Sequence, residues 1–233
     1  MDKEIVILDF AGTLIKPDVV EEANRFRAEV LMKKFPAAEE HSSPEELYRN
    51  NRQAVEKLTS LKSGSTIKYR KNDLGFMELS GMQVQNQIST NLFQIGMYMQ
   101  AAKHKHNIFV AGMIEQLQRM QETGYKLAII SGIRTDIISG VLEISGMPVR
   151  FDYIYGQPPV LGEGNQEQDI RDIQAKGRVA YAVGDKMSDL ERVRKCSRNA
   201  SLIFARWGHA SGAEEKLANH IADEPKQLEE FIK

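Results

Sequence analysis

Cysteine is almost missing. The 233-residue chain has one, Cys196, so no disulfide can close within it. One thiol beside 10 methionines suits a reducing compartment. An excess of charge is missing too: 31 basic and 32 acidic residues leave a formal net charge of −1. No global field therefore draws in nucleic acid or an anionic membrane surface. No uninterrupted apolar run approaches the roughly 18–20 residues of a membrane span. The start, Met1-Asp2-Lys3-Glu4, lacks the basic residues and the longer apolar run of a secretory signal. The expectation is a cytoplasmic protein that engages neither nucleic acid nor membrane. With 42% hydrophobic and 27% charged residues, the composition is that of an ordinary globular chain. The length allows one large domain, or a core with a smaller insert.

The junction after the first apolar run is the most informative part of the chain. Ile5-Val6-Ile7-Leu8 leads directly into Asp9-Phe10-Ala11-Gly12-Thr13. A buried strand of this kind delivers a carboxylate to its carboxyl end, and the Gly-Thr turn offers backbone N–H groups to an anion. From Pro17 the pattern turns helical, with Val20, Ala23, Phe26, Val30 and Leu31 at spacings near the 3.6 residues of a helical turn. Ser43-Pro44-Glu45-Glu46 reads as a helix start with a capping box. Residues 65–70 are ambiguous, and 82–103 form another helix with Val84, Ile88, Leu92, Ile95 and Met99 on one face. No strong strand is expected between Lys16 and His106.

Beyond Ile108 helices and strands alternate. Strands are expected over 126–130, 152–155, 178–183 and 201–205. Helices are expected over 111–122, 135–144 and 166–175, from Ser188, and near 213–219 and 226–232. Such alternation implies parallel β-α units. The predicted fold is α/β: a Rossmann-like parallel sheet with helices on both faces, formed by residues 1–15 and 108–233. An inserted α-helical cap occupies 16–107. An insert after the first strand would sit above the carboxyl ends of the strands, where open parallel sheets bind ligands.

Three predicted strand ends carry chemistry: Asp9 to Thr13, Ser131-Gly132, and Gly184-Asp185 with Asp189. If the strands are neighbours, the groups share one pocket. Asp9 can attack phosphorus or hold a metal, Asp185 and Asp189 are hard oxygen ligands of the kind Mg²⁺ takes, and Ser131 can hold phosphate oxygens. Several other features read as ordinary surface or packing. Lys103-His104-Lys105-His106 reads as a solvated basic helix end. Met77, Met82, Met97 and Met99 read as core filler. Trp207 and His209 either border the site or pack a loop.

Asp9-Phe10-Ala11-Gly12-Thr13, Ile129-Ile130-Ser131-Gly132 and Gly184-Asp185-Lys186-Met187-Ser188-Asp189 resemble, in order, motifs one, two and four of the haloacid dehalogenase superfamily. Arg206-Trp207-Gly208-His209 and Ile221-Ala222-Asp223 are similar to the ending of its phosphoglycolate-phosphatase-like members. The resemblance implies that Asp9 forms an aspartyl-phosphate with a small phosphorylated metabolite, which water then hydrolyses. It implies Mg²⁺ held by Asp9, the Ala11 carbonyl and Asp185, with Asp189 nearby. Ala11, Gly12, Thr13, Ser131 and Gly132 would form the phosphate cradle.

Two departures stand out. Ala11 occupies the place of the family's second aspartate, whose general acid–base help is typically worth about 10²- to 10⁴-fold in rate. The Asp-x-Ala-Gly-Thr form resembles phosphonoacetaldehyde hydrolase, where a cap lysine forms a Schiff base. Lys57, Lys62, Lys68 and Lys71 are the candidates here. The motif-three lysine has no obvious equivalent: residues 156–175 contain no lysine, leaving Lys176, Arg171 and Arg134. The alternatives to a phosphatase are thus a C–P bond hydrolase and a binding protein with impaired catalysis.

Overall fold

The computed structural model describes residues 4–34, 66–70, 76–157, 164–209 and 213–233. Strand β1 (Glu4–Leu8) lies inside a six-stranded sheet. Its neighbours are β4 (Lys126–Arg134) and β6 (Arg178–Gly184), both parallel to it. The sheet is completed by β5 (Tyr153–Gln157) beside β4, and by β7 (Ser201–Ala205) and β8 (His220–Ala222) beyond β6, all parallel. The order β5-β4-β1-β6-β7-β8 means the chain builds outward from β1 on one side, then crosses back to build the other. Loops at such a reversal splay apart and leave a crevice at the carboxyl ends of the strands.

The central strands carry near-continuous apolar runs, Ile5–Leu8, Leu127–Ile130 and Val179–Val183, because both faces are covered. Ile5, Ile7, Ala128, Ile130 and Phe204 pack with Ile170 and Ile173 of α5 (Gln166–Gln174) and Leu190 and Val193 of α6 (Met187–Cys196). Side chains of alternating parity point to the opposite face. There α3 (Met113–Glu122) and α4 (Thr135–Ser145) pack against β4. The α/β architecture read from the sequence is therefore present.

Three elements differ from the sequence reading. Ser131-Gly132 does not end a strand: β4 runs on to Arg134, pairing with Gln157 past an irregularity after Ile130. Gly156 permits this, because a Cβ there would lie 2.1 Å from the Ile133 carbonyl oxygen. The tail contains a strand, β8, and a short 3-10 turn at Ala213–Lys216 in place of a helix over 213–219. The insert is not purely helical. Strands β2 (Thr66–Arg70) and β3 (Phe76–Ser80) form an antiparallel pair with Lys68 opposite Glu78. Ile67 and Tyr69 alternate with Thr66, Lys68 and Arg70, and Met77 and Leu79 with Glu78 and Ser80, the pattern of a half-buried strand in runs of only five residues. The helix expected from Ser43 lies outside the described residues.

The chain divides into two compact units, Met1–Val20 with Gln100–Lys233, and Glu21–Met99. This division lies farther into the insert than the sequence breaks at 16 and 107. In the first unit the outgoing and returning chain are paired: the Lys16 N–H donates to Ile108 at 2.9 Å and the Val110 N–H to Leu14 at 3.0 Å. The second unit holds most of α1 (Pro17–Lys34) and α2 (Gly81–His104). Met97 is fully buried as expected of core filler, whereas Met99 is 51% exposed.

Within this unit Gly96 of α2 faces Ala23 of α1. A Cβ at Gly96 would sit 2.8 Å from the Ala23 carbonyl oxygen and 2.9 Å from its Cα. These are backbone atoms that cannot swing aside. Gly96→Ala should therefore destabilise the protein by about 1–3 kcal/mol in urea denaturation, as overpacking does, although alanine is the better helix former.

Candidate active site

Asp9 follows β1 and is held in the sheet register by its N–H, which donates to the Val183 carbonyl at 3.0 Å. The chain then turns back tightly. The Phe10 carbonyl accepts from the N–H groups of Leu14 and Ile15, and the buried Phe10 ring anchors the loop. Gly12 has φ +93°, and a Cβ on it would lie 2.3 Å from Asp185 Oδ2. Only glycine combines that conformation with that closeness.

Asp185, at the end of β6, is 0% exposed. Its Oδ1 accepts from the Thr13 hydroxyl at 3.3 Å. Its Oδ2 accepts from the His209 N–H at 2.7 Å and lies 3.3 Å from His209 Nδ1. Trp207 Nε1 donates to the Thr13 carbonyl at 3.1 Å. Loops after β1, β6 and β7 are thereby tied to one carboxylate. Trp207 and His209, ambiguous in the sequence, border the site.

Asp9, Asp185 and Asp189 each present an oxygen within 4.8 Å of the others. Burial, then the charges of Asp189 and Asp185, push the Asp9 carboxyl well above the usual range. Burial, then Asp185, raises Asp189 as well. Burial would also raise Asp185, but the hydrogen bonds from His209 bring it below its ordinary value. Lys186 attracts all three carboxylates and partly offsets their repulsion. Asp189 Oδ1 accepts from the Ser188 hydroxyl and from Arg192, each at 3.4 Å. Its Oδ2 is buried without a partner. A buried, unpaired carboxylate oxygen beside two further carboxylates is costly. A hard divalent cation satisfies that set of oxygens, so the residues present fit such an ion.

Beside the cluster lies a small apolar cavity lined by Ile7, Asp9, Ile130, Asp189 and others. A cleft of about 570 Å³ adjoins it, lined by Ser131, Gly132, Gly156, Gln157 and the start of α5. Gln166 and Arg192 line both. Ser131 is buried, with its Oγ accepting from the Ile133 N–H at 3.3 Å.

Comparison with known proteins decides the family. The haloacid dehalogenase-like hydrolase family matches residues 6–203. The chain belongs to the haloacid dehalogenase-like hydrolases. Its fold is shared with a predicted phosphatase from Clostridium acetobutylicum (17% identity, TM-score 0.67, covering 100% of this chain and 98% of that one). A haloacid dehalogenase-like family hydrolase from Streptococcus pneumoniae is similar (16%, 0.62, 100% and 99%). So is a predicted phosphoglycolate phosphatase from Haemophilus somnus (13%, 0.61, 100% and 99%). At these identities the likeness is one of fold. No curated protein matches the sequence.

For this hydrolase the structure brings Asp9, Ala11, Gly12, Thr13, Asp185 and Asp189 into one corner, with Ser131 and Gly132 in the adjoining cleft. The cations considered in place of the motif-three lysine are each engaged by other side chains. Lys176 donates to the Tyr155 hydroxyl at 2.7 Å and lies over the Tyr153 ring. Arg171 pairs with Glu167. Arg134 grips Asp136 through two nitrogens. Lys57, Lys62 and Lys71 lie outside the described residues, and of Lys68 the backbone alone is described. Sequence reading missed Arg192 and Gln166 as lining residues, and Lys186 as a local cation. Arg192 had a signal: it lies three residues after Asp189, on the same helix face.

Gly12→Ala should destabilise the hydrolase by about 1–3 kcal/mol through backbone strain alone. It should also weaken divalent-cation binding, read by thermal unfolding and calorimetry, because the methyl collides with Asp185. A second expectation concerns pH. The raised carboxyl of Asp9 binds its proton longer in the folded, metal-free protein than in the unfolded chain. Its contribution to stability is complete below the unfolded value near about 4 and is lost as pH rises through the folded value. Metal-free Asp9→Asn should therefore melt at higher temperature than wild type at neutral pH. The two melting curves should converge as the pH falls towards about 4.

Proposed function

We propose that this hydrolase removes phosphate from a small phosphorylated metabolite, with Asp9 as nucleophile and Mg²⁺ as cofactor. The observation that carries the reading is the trio formed by Asp9 and Asp185, at the carboxyl ends of adjacent parallel strands, and Asp189 in the first turn of the helix that follows, with one Asp189 oxygen buried and unsatisfied. Asp9, the Ala11 carbonyl and Asp185 would hold the ion, with Asp189 beside it. Bound Mg²⁺ would supply positive charge that offsets both the carboxylates and the phosphate.

An Asp9 oxygen attacks phosphorus as the bond to the leaving oxygen breaks. Water then attacks the aspartyl-phosphate, freeing phosphate and restoring Asp9. Ser131, the Gly132 backbone and the loop of residues 11–13 hold the transferring group, the Gly12 N–H being donated to the Ile15 carbonyl at 2.9 Å. The insert over 16–107 is read as the cap domain of this hydrolase. The phosphatase descriptions of similar folds agree with this chemistry.

The leaving oxygen needs a proton, and the Ala11 methyl has none to give. Aryl phosphates, whose leaving group departs as a stable anion, should react faster than alkyl phosphates. No observation favours C–P cleavage or a purely binding role over this reading. Phosphate release with Mg²⁺ tests it: wild type should turn over aryl phosphates, and Asp9→Asn should not. Ala11→Asp should accelerate alkyl phosphates by up to about 10²- to 10⁴-fold, the usual worth of a general acid–base. Wild-type activity that survives Asp9→Asn would refute the nucleophile assignment.

A further inference from the structure

A phosphate dianion approaching this site meets the carboxylates of Asp9, Asp185 and Asp189. The adjoining cleft adds Glu167 and Asp169 to its wall. Even a bound divalent ion leaves this corner short of positive charge. Among the described residues that line the cavity beside Asp9 and the cleft beside Ser131, the one cation is Arg192, and it lines both. Lys186 is close in sequence but lines neither.

Arg192 stands one helical turn after Asp189. Its Nη1 lies 3.4 Å from Asp189 Oδ1, and its side chain is 39% exposed. A guanidinium carries five N–H donors in a planar fork. One contact to Asp189 leaves the others for an anion, and the fork matches phosphate geometry.

We propose that Arg192 is an anion-binding residue of the hydrolase: anchored on Asp189 at the wall shared by the carboxylate cavity and the Ser131 cleft, it holds the phosphate group of the substrate. This rests on the phosphatase reading. The Asp189 contact orients the guanidinium, and the substrate takes the donors that remain. Arg192 thus supplies, from the helix after β6, positive charge at the lining itself, whereas Lys176 and Arg134 are engaged elsewhere and Arg171 is paired with Glu167 of the cleft wall.

The test uses inorganic phosphate and Mg²⁺ as separate probes in titration calorimetry on wild type, Arg192→Gln and Arg192→Lys. In Arg192→Gln, phosphate affinity measured with Mg²⁺ present should fall about 10- to 150-fold, the worth of a hydrogen bond to a charged group. Mg²⁺ affinity should stay within about threefold or tighten, since a competing cation has been removed from the carboxylates. Arg192→Lys, which keeps the charge and loses the fork, should fall between wild type and Arg192→Gln. It carries the same test should Arg192→Gln not fold. Unchanged phosphate affinity in either folded variant overturns the proposal. So does a parallel loss of Mg²⁺ and phosphate binding, which would make Arg192 only a support for Asp189. Wild type that binds neither probe would instead remove the phosphatase reading, and this proposal with it.

Discussion

Burying the Asp185 carboxylate is the constraint on which the site depends. A charge with no solvent access must be matched by hydrogen bonds from its surroundings. Thr13 serves one oxygen, and the backbone and ring of His209 serve the other. Those donors come from the loops after β1 and β7, so satisfying one carboxylate sets the positions of three loops. The demand extends to residues without polar side chains. Gly12 and Gly208 lie so near Asp185 that a Cβ on either would overlap it. Trp207 then fastens the Thr13 carbonyl to the same assembly.

The site around that anchor is electrostatically unfinished. Asp185 is stabilised as an anion, whereas Asp9 and Asp189 are held in surroundings that favour their protonated forms. Protein interiors rarely leave a carboxylate oxygen buried and unbonded, as Asp189 Oδ2 is. The strain of three crowded carboxylates has a use if a cation and an anionic substrate arrive together. Each then relieves a repulsion that the other would suffer alone. Ala11 adjoins this charged corner without a titratable group, so its side chain offers no proton to a departing group.

Much of the core was legible along the chain. Ile5-Val6-Ile7-Leu8 and Ser201–Ala205 read as buried strands because a parallel sheet covered on both faces tolerates unbroken apolar runs. Asp9 and Asp185 were legible as strand-end carboxylates for the same reason. The β2–β3 pair was not, although Lys68, Arg70 and Glu78 alternate with apolar neighbours, because each run is only five residues long. Strand β8 is three residues long, too short for any periodicity. The continuation of β4 beyond Ser131 depends on Gly156 of another strand allowing close approach, which no local pattern records.

By itself, then, the sequence determined the alternating α/β architecture and the residue types at the ends of β1 and β6, since these follow from local periodicity and from where apolar runs stop. Tertiary structure alone decided which of those ends are neighbours, which oxygen of Asp189 lacks a partner, and which cation reaches the cleft. Lys176, Arg171 and Arg192 are equivalent as letters. The Arg171–Glu167 and Arg192–Asp189 pairs form within their own helices, but only the packing of α5 and α6 on the sheet turns Lys176 to the tyrosines and places Arg192 at the wall of both the cavity and the cleft. Charge acts through distance, and those distances exist only once the chain has folded.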